Sequence, residues 1–267
     1  MKRLIVNADD FGFTPDVNAG IVEAHRRGIL TATTLMANGE AFDDAVRLAW
    51  ENPGLDVGVH LVLVGGVSCL TGRPLPARVG ELLRAMYRRR IVPEEELRAQ
   101  VRRVMEAGLH PTHLDTHKHT HLAPRVLAAL ARVAREFDIR WVRRPFDFLI
   151  TANPAPWRRR AAGRAFGFLR RRFQGVLERH GCRTTDYFAG FQLTGSLRTS
   201  ELVTLIHALP DGLTEFMCHP GFCSDALRTA RTRLKESRQR ELEALTAPET
   251  RAALEKCGIA LVSYRDL

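Results

Sequence analysis

The sequence predicts an α/β fold whose parallel sheet curls into a barrel or a distorted barrel. Along the chain, about eight short apolar or β-branched runs alternate with longer stretches of helical period, as in βα units. The 267 residues, 45% of them hydrophobic, suffice for one barrel or for two small domains. Because no Gly/Ser-rich or Pro-rich linker divides the chain, we expect a single domain over 1–267.

The individual elements follow from these runs in chain order. Strands are expected at 4–8, 32–36, 57–63, 112–117, 140–144, 187–191, 213–218 and 259–263. The first helix has Thr14 as its N-cap, Pro15 at its first position and Gly28 available for a left-handed C-terminal cap. Further helices are expected at 42–51, 93–107, 124–137, 200–208, 233–245 and 248–256. We expect a long loop over 64–90 and a basic insertion over about 146–182.

The composition narrows the functional classes. A net charge of +10 attracts anionic partners, but no RNP, zinc-finger or helix-turn-helix motif accompanies it, so nucleic-acid binding is not expected. The sequence has no apolar run of about 18 residues, which a membrane-spanning helix needs. The five cysteines are scattered without a CxxC pair, so neither a disulfide framework nor a thiolate zinc site is indicated. The opening MKRLIVNADD is typical of a first strand in a cytoplasmic protein rather than of a signal peptide.

Two adjacent carboxylates, Asp9 and Asp10, end the first predicted strand, and Gly12 allows a sharp turn after them. The carboxyl ends of parallel strands form the active-site face of α/β barrels, and a turn at the strand end lets both side chains converge. One carboxylate can then bind a metal while the other accepts a proton. The alternative is that one of them only caps the following turn.

Two single histidines fall on other predicted strands. His60 lies within the apolar third strand, where a packed core histidine is the alternative to a metal ligand. His219 follows the strand 213–218 in a His-Pro-Gly turn and reaches the same face, unless it is an ordinary loop histidine. Two imidazoles and one carboxylate would form a metal site with open positions for water and substrate.

Four of the ten histidines cluster within nine residues, at His113, His117, His119 and His121. Neutral imidazole is the commonest metal ligand, so the cluster indicates a metal site more than a surface tract. Since a strand has only one carboxyl end, His117 is the better candidate ligand and His121 is the runner-up. His113 and Asp115 are expected deeper, as packed polar groups or as partners that orient a ligand. His119 is a further candidate for either role.

The ordered motifs NADDFG, GVHLVL, PTHLDTHKHTH, CHPG and SYRDL resemble the YdjC-like carbohydrate deacetylases. This family includes diacetylchitobiose deacetylase and the hopanoid-biosynthesis-associated deacetylase. The resemblance spans nearly the whole chain and implies a distorted TIM-like barrel that removes the acetyl group from an N-acetylated sugar. It implies Asp10, His60 and His117 as ligands of one divalent cation, Asp9 as catalytic base and His219 as general acid. The HLVLVGG segment and the Arg-rich insertion look more like the hopanoid branch, which implies a glycolipid substrate.

Some alternatives stay open at this point. The nitrogen and oxygen ligands suit zinc, magnesium, manganese or cobalt. The arginine-rich stretch 157–173 fits a basic amphipathic helix on an anionic membrane, or an ordinary solvated helix. A metal phosphoesterase is an alternative function, although it would gather ligands for more than one ion. A non-catalytic sugar-binding or metal-storage protein is another, although it would need neither a spare base nor an acid. A homo-oligomer is compatible with the sequence.

Overall fold

The computed structural model of the chain describes residues 1–148 and 169–267, and its centre is a parallel sheet of eight strands. The strands are β1 (Lys2–Phe11), β2 (Ala32–Leu35), β3 (Asp56–Leu61), β4 (His113–Thr116), β5 (Trp141–Val142), β6 (Tyr187–Ala189), β7 (Gly212–Cys218) and β8 (Ala260–Leu261). Their order is β5-β4-β3-β2-β1-β7-β6, and β8 pairs with the start of β1. All eight predicted strands are present, which confirms the α/β class.

The two outer strands of the sheet approach each other. Single parallel bridges join Trp141 to Arg183 and Asp147 to Phe188, next to β5 and β6. Because β5 and β6 have only two and three residues, this last seam of the barrel is held by isolated bridges instead of a continuous ladder. The short outer strands therefore account for the distortion from a regular barrel.

Helices connect the strands at nearly all of the predicted places. They are α1 (Pro15–Arg27), α2 (Phe42–Glu51), α3 (Val79–Tyr87), α4 (Pro93–Glu106), α5 (Pro124–Glu136), α6 (helical residues 169–179), α7 (Thr199–Ala208), α8 (Asp225–Thr229), α9 (Glu236–Thr246) and α10 (Pro248–Lys256). Two 3-10 turns lie at His117–Leu122 and Tyr264–Asp266. Most of the predicted arginine-rich helix over 157–173 lies outside the described residues.

The prediction of one long loop over 64–90 is wrong, because α3 lies within it. This helix starts without a side-chain cap and buries only Leu82 and Met86, so neither a capping signal nor a wide apolar stripe marks it in the sequence. The five-residue helix α8 was likewise not expected. It is too short to show a helical period.

The first helix begins as predicted but ends differently. The Thr14 hydroxyl accepts a hydrogen bond from the Val17 N–H at 3.3 Å, and Pro15 follows it. The predicted left-handed cap at Gly28 is wrong, since its φ is −111°. Glycine is needed there for space, because a Cβ would lie 2.5 Å from the carbonyl oxygen of Leu245 and 2.6 Å from that of Ala24.

Successive side chains of β1 point to opposite faces of the sheet, so they pack into two different clusters. Leu4 and Val6 belong to the large apolar core, whereas Ile5 joins a small apolar cluster with Tyr264. Farther along the same face as Ile5 comes Asp9, near the carboxyl end of the strand. One end of the barrel interior is thus sealed by apolar groups, and the other end carries the charged ones.

Candidate metal centre

Three side chains from separate strand ends converge at the carboxyl edge of the sheet. Asp10 Oδ1 lies 3.4 Å from His60 Nε2 and 3.2 Å from His117 Nδ1. The two imidazole nitrogens are 3.2 Å apart. Asp10 is near the end of β1, His60 near the end of β3, and His117 directly follows β4. The three residues are brought together because β1, β3 and β4 run parallel and end at one edge.

This triangle fits a divalent cation. Ligands of a tetrahedral cation with bonds of about 2.0–2.2 Å lie about 3.3–3.6 Å from each other. Asp10 Oδ1 is buried and accepts no hydrogen bond from the described residues. Burial would raise the pKa of Asp10, but the Arg238 guanidinium and the two imidazoles outweigh it and hold that pKa well below its usual range. The carboxylate is therefore ionised and has a free lone pair for a cation, and three protein ligands leave a position for water and substrate.

The backbone at Asp10 turns both carboxylates toward the site. Asp10 adopts a φ of 69°, and Gly12 a φ of 90°, so the chain reverses direction at the end of β1. Arg238 of α9 donates to Asp10 Oδ2 at 2.5 Å. Capping of the following helix falls to Thr14, not to either aspartate.

His60 is oriented by a carboxylate behind it. Its Nδ1 donates to Asp115 Oδ1 at 2.7 Å, which leaves Nε2 facing the metal centre. Thr34 holds the other oxygen of Asp115 at 3.1 Å. Burial lowers the pKa of His60, but Asp115 and Asp9 outweigh it and raise the pKa to about 10 in the metal-free chain. A cation binding there must displace a proton.

The second carboxylate, Asp9, is clamped by a buried arginine. Arg143 donates to both oxygens of Asp9 at 2.7 Å each, and to Glu215 at 2.6 Å. Its Nη1 also lies 2.6 Å from Asp115 Oδ2. Burial lowers the pKa of Arg143, but the three carboxylates outweigh it and raise that pKa well above its usual value. Arg143 in turn outweighs the burial of Asp9, so the pKa of Asp9 is depressed and its carboxylate is ionised.

His219 lies beside Asp9 in the turn that follows β7. Its Nε2 is 3.9 Å from Asp9 Oδ2. Its backbone N–H donates to Glu241 of α9 at 2.6 Å. The Gly221 backbone of this turn packs against Gly20 of α1, where an added Cβ would lie 2.4 Å from the Gly221 Cα. The position of His219 therefore depends on close contacts with two helices.

His113 and His121 have both ring nitrogens engaged away from the triangle. His113 Nε2 lies 2.9 Å from Asn7 Oδ1, and the ring stacks on Tyr264. Asn7 in turn donates to Asp9 Oδ1 at 3.2 Å. His121 Nε2 lies 3.2 Å from the Arg143 carbonyl oxygen. Burial and Arg143 lower the pKa of His121 to about 3, so it is a neutral donor that holds the Arg143 backbone.

His119 lies at the rim of the site in a strained turn. Lys118 and His119 have φ values of 54° and 50°, which non-glycine residues adopt at a cost. The His119 ring is 5.2 Å from that of Phe191, which is half exposed. Its Nδ1 is buried and has no partner among the described residues. His119 belongs to neither group of possible metal ligands among the described residues.

Comparisons with known proteins find relatives over nearly the whole chain. The family described as YdjC-like protein matches residues 3–256. A Brevibacillus brevis protein named carbohydrate deacetylase is 37% identical over 278 residues, covering 99% of each chain. A Salmonella paratyphi B protein named chitooligosaccharide deacetylase is 34% identical over 275 residues, covering 100% of each chain.

Two solved structures resemble the fold. An Enterococcus faecalis V583 protein, named as a candidate cellobiose-phosphate cleavage protein, has a TM-score of 0.77 and 26% identity, covering 99% of this chain and 98% of its own. A family 4 carbohydrate esterase from Streptomyces lividans, in complex with acetate, has a TM-score of 0.50 and 11% identity, covering 99% and 94%. The second likeness concerns the fold alone and supports the distorted TIM-like barrel.

Proposed function

Because the chain belongs to the YdjC-like family, we propose that it is a metal-dependent hydrolase that deacetylates an N-acetylated sugar of the N-acetylglucosamine type. The single observation that carries this proposal is the Asp10, His60 and His117 triangle with the ionised Asp9 beside it. The names of the relatives, carbohydrate deacetylase and chitooligosaccharide deacetylase, support the substrate class.

The residues of the site have separate roles in breaking the amide bond. A divalent cation held by the triangle would polarise the acetamide carbonyl and make water more acidic. Asp9 takes a proton from the attacking water, and Arg143 keeps Asp9 ionised and oriented. His219 donates a proton to the departing nitrogen, because an amide nitrogen leaves poorly as an anion. The C–N bond breaks, and acetate and the free amine are the products.

Replacing the base tests the proposal. We expect Asp9→Asn to lower kcat by about 10²-fold or more while one metal ion per chain remains bound, since general base catalysis contributes about that much. Glu215→Gln is the matched control, because it removes another carboxylate partner of Arg143 without touching the metal triangle. Its kcat should stay within about tenfold of wild type. Acetate release and metal analysis of both variants give the answer, and a wild-type kcat for Asp9→Asn would rule out the assignment.

The phosphoesterase alternative needs a site for several metal ions, and the position of Arg143 disfavours a second ion. Asp9, His60 and Asp115 form a second group of possible ligands, but Asp9 and Asp115 both pair with Arg143. The guanidinium supplies the positive charge there and would repel a second cation. We expect one metal ion per chain, and two or three would favour a phosphoesterase.

The glycan is a separate part of the proposal. We include N-acetylglucosaminyl hopanoid beside chitooligosaccharides, because the sequence resembles the hopanoid branch. No helix in the described part of the chain could span a membrane. The proposal includes a cytoplasmic enzyme that reaches such a lipid by peripheral contact. Acetate release from diacetylchitobiose and from the glycosyl hopanoid, with co-sedimentation on anionic vesicles, separates the two substrates.

A further inference from the structure

A cavity of about 250 Å³ opens next to the amino end of α9. Thr194 and Gly195 line it from the loop after β6, and Arg233 and Lys235 line it from the segment before α9. Because the loops after β6 and β7 leave the sheet at its carboxyl edge, the cavity is on the same side as the metal centre. We call it the α9 pocket.

The amino end of α9 lines this pocket, and no side chain of the N-cap residue accepts a hydrogen bond from its first N–H groups. α9 begins after Lys235, whose side chain makes no capping hydrogen bond. The first N–H groups of a helix have no partner within the helix and carry its positive dipole end. Ser237, in the first turn, lines the pocket and is only 7% exposed, and its hydroxyl has no partner among the described residues. A buried hydroxyl without a partner calls for an explanation, and a ligand bound in this pocket supplies one.

The charge of the lining is positive. Arg233 and Arg240 make no ion pair with any residue of 1–148 or 169–267. Lys235 Nζ donates to the carbonyl oxygen of Arg228. Glu236 adds one exposed carboxylate, so three cations face one anion in the described lining. The pocket therefore attracts an anion and disfavours a cation.

The same helix ties the pocket to the metal centre. Ser237 is followed by Arg238, which binds Asp10. Gly195 in the pocket wall donates to Glu241 at 3.4 Å, and the other oxygen of Glu241 accepts the His219 N–H. In α/β barrels, late strand loops and a helix amino end commonly form a phosphate site close to the reacting groups.

We propose that the α9 pocket binds a phosphate-type oxyanion, carried by the substrate or free in solution. The oxyanion accepts hydrogen bonds from the N–H groups of Glu236 and Ser237 and from the Ser237 hydroxyl, while the Arg238 N–H donates to the Lys235 carbonyl oxygen. Arg233 and Arg240 supply the opposing charge. Only the substrate-borne case rests on the proposed deacetylase function.

Titration of inorganic phosphate into the metal-loaded enzyme by calorimetry tests the pocket. Since hydrogen bonds to charged groups contribute strongly, we expect Arg233→Gln/Arg240→Gln to raise the phosphate Kd about tenfold or more. Ser237→Ala should raise it about threefold or more. Arg231→Gln makes the same charge change two residues from Arg233, at an exposed residue outside the lining, and should change Kd by less than about twofold. Absence of phosphate binding, or an unchanged Kd in the double variant, would overturn the proposal.

Kinetics then separate the two sources of the oxyanion. If the substrate carries it, the double variant raises KM for a phosphorylated acetamido sugar and leaves KM for the neutral sugar unchanged. If phosphate binds free, it changes the rate on the neutral sugar in the wild type but not in the double variant. An enzyme that deacetylates no sugar would refute the proposed function, while the phosphate titration would still decide on the pocket.

Discussion

Replacing Arg143 by methionine removes the only positive charge, within the described residues, that Asp9, Asp115 and Glu215 contact together. All four side chains are buried, with exposed fractions of 4% or less. Methionine keeps much of the volume but leaves three carboxylates without the cation that they share. Removing one member of a buried ion pair costs about 3–5 kcal/mol, and because three carboxylates share this arginine we expect about 5 kcal/mol of lost stability at neutral pH.

The loss should depend on pH with a definite sign. In the wild type Arg143 depresses the pKa of Asp9, so this stabilisation is present above the unfolded-state pKa and is lost as pH falls through the lower folded value. Without Arg143, the pKa values of Asp9 and Glu215 both rise from their wild-type values, because burial of each carboxyl is then opposed by less positive charge. The variant can then relieve its buried charge by taking up protons. The stability difference from wild type should therefore shrink between pH 7.5 and pH 5.

Urea unfolding followed by circular dichroism, with a chelator present, measures both effects. With m-values of about 3 kcal/mol/M for a chain of this size, the midpoint should fall by about 1–2 M. Arg140→Met is the control, because this exposed arginine pairs only with the exposed Asp138 among the described residues and its loss should cost less than about 1 kcal/mol. Equal midpoints for Arg143→Met and Arg140→Met would refute the reasoning. A difference that does not narrow at pH 5 would refute the charge argument alone.

Three further predictions concern the metal and the backbone. Since the metal-free pKa of His60 is raised to about 10, metal affinity should rise about tenfold per unit between pH 6 and 9, and a pH-independent affinity by calorimetry would contradict this. Gly28→Ala should lower the free energy of unfolding by about 1–3 kcal/mol, because the Cβ would clash with two carbonyl oxygens. Gly80→Ala, where a Cβ has open space, should raise it by about 0.5–1 kcal/mol. Equal melting temperatures for the two variants would contradict both expectations. Gly20→Ala should lower kcat about tenfold or more by displacing His219 while metal content stays at wild type, and an unchanged kcat would show that the turn tolerates the shift.

The positions of the strands could be predicted from local pattern, and the candidate metal ligands from the family resemblance together with one general rule. Apolar runs mark the strands, and parallel strands bring their carboxyl ends to one edge. Asp10, His60 and His117 stand at such ends in the sequence. The stretch 64–90 could not be assigned in the same way, because α3 shows neither a cap nor a wide apolar face.

Arg143 was missed because nothing local distinguishes it from a solvated charge. It follows two strand residues and precedes Arg144, in a chain rich in arginine. Its burial is explained only by Asp9, Asp115 and Glu215, which come from three other strands. The one available signal was that inward-facing carboxylates outnumber the cations expected inside the barrel. The need of these buried carboxylates for a counter-charge would have pointed to the arginines at the end of the fifth predicted strand.

The helix α9 shows why charged residues around this site could not be placed from sequence. Its polar composition suggests an exposed helix, yet Arg238 and Glu241 are each only 1% exposed. They lie three positions apart and so share one face of the helix. Arg238 binds the carboxylate of the proposed metal ligand Asp10, and Glu241 binds the backbone N–H of His219. A shift of α9 would therefore move Asp10 and His219 together. A ligand bound at the amino end of α9 would in this way act on both residues.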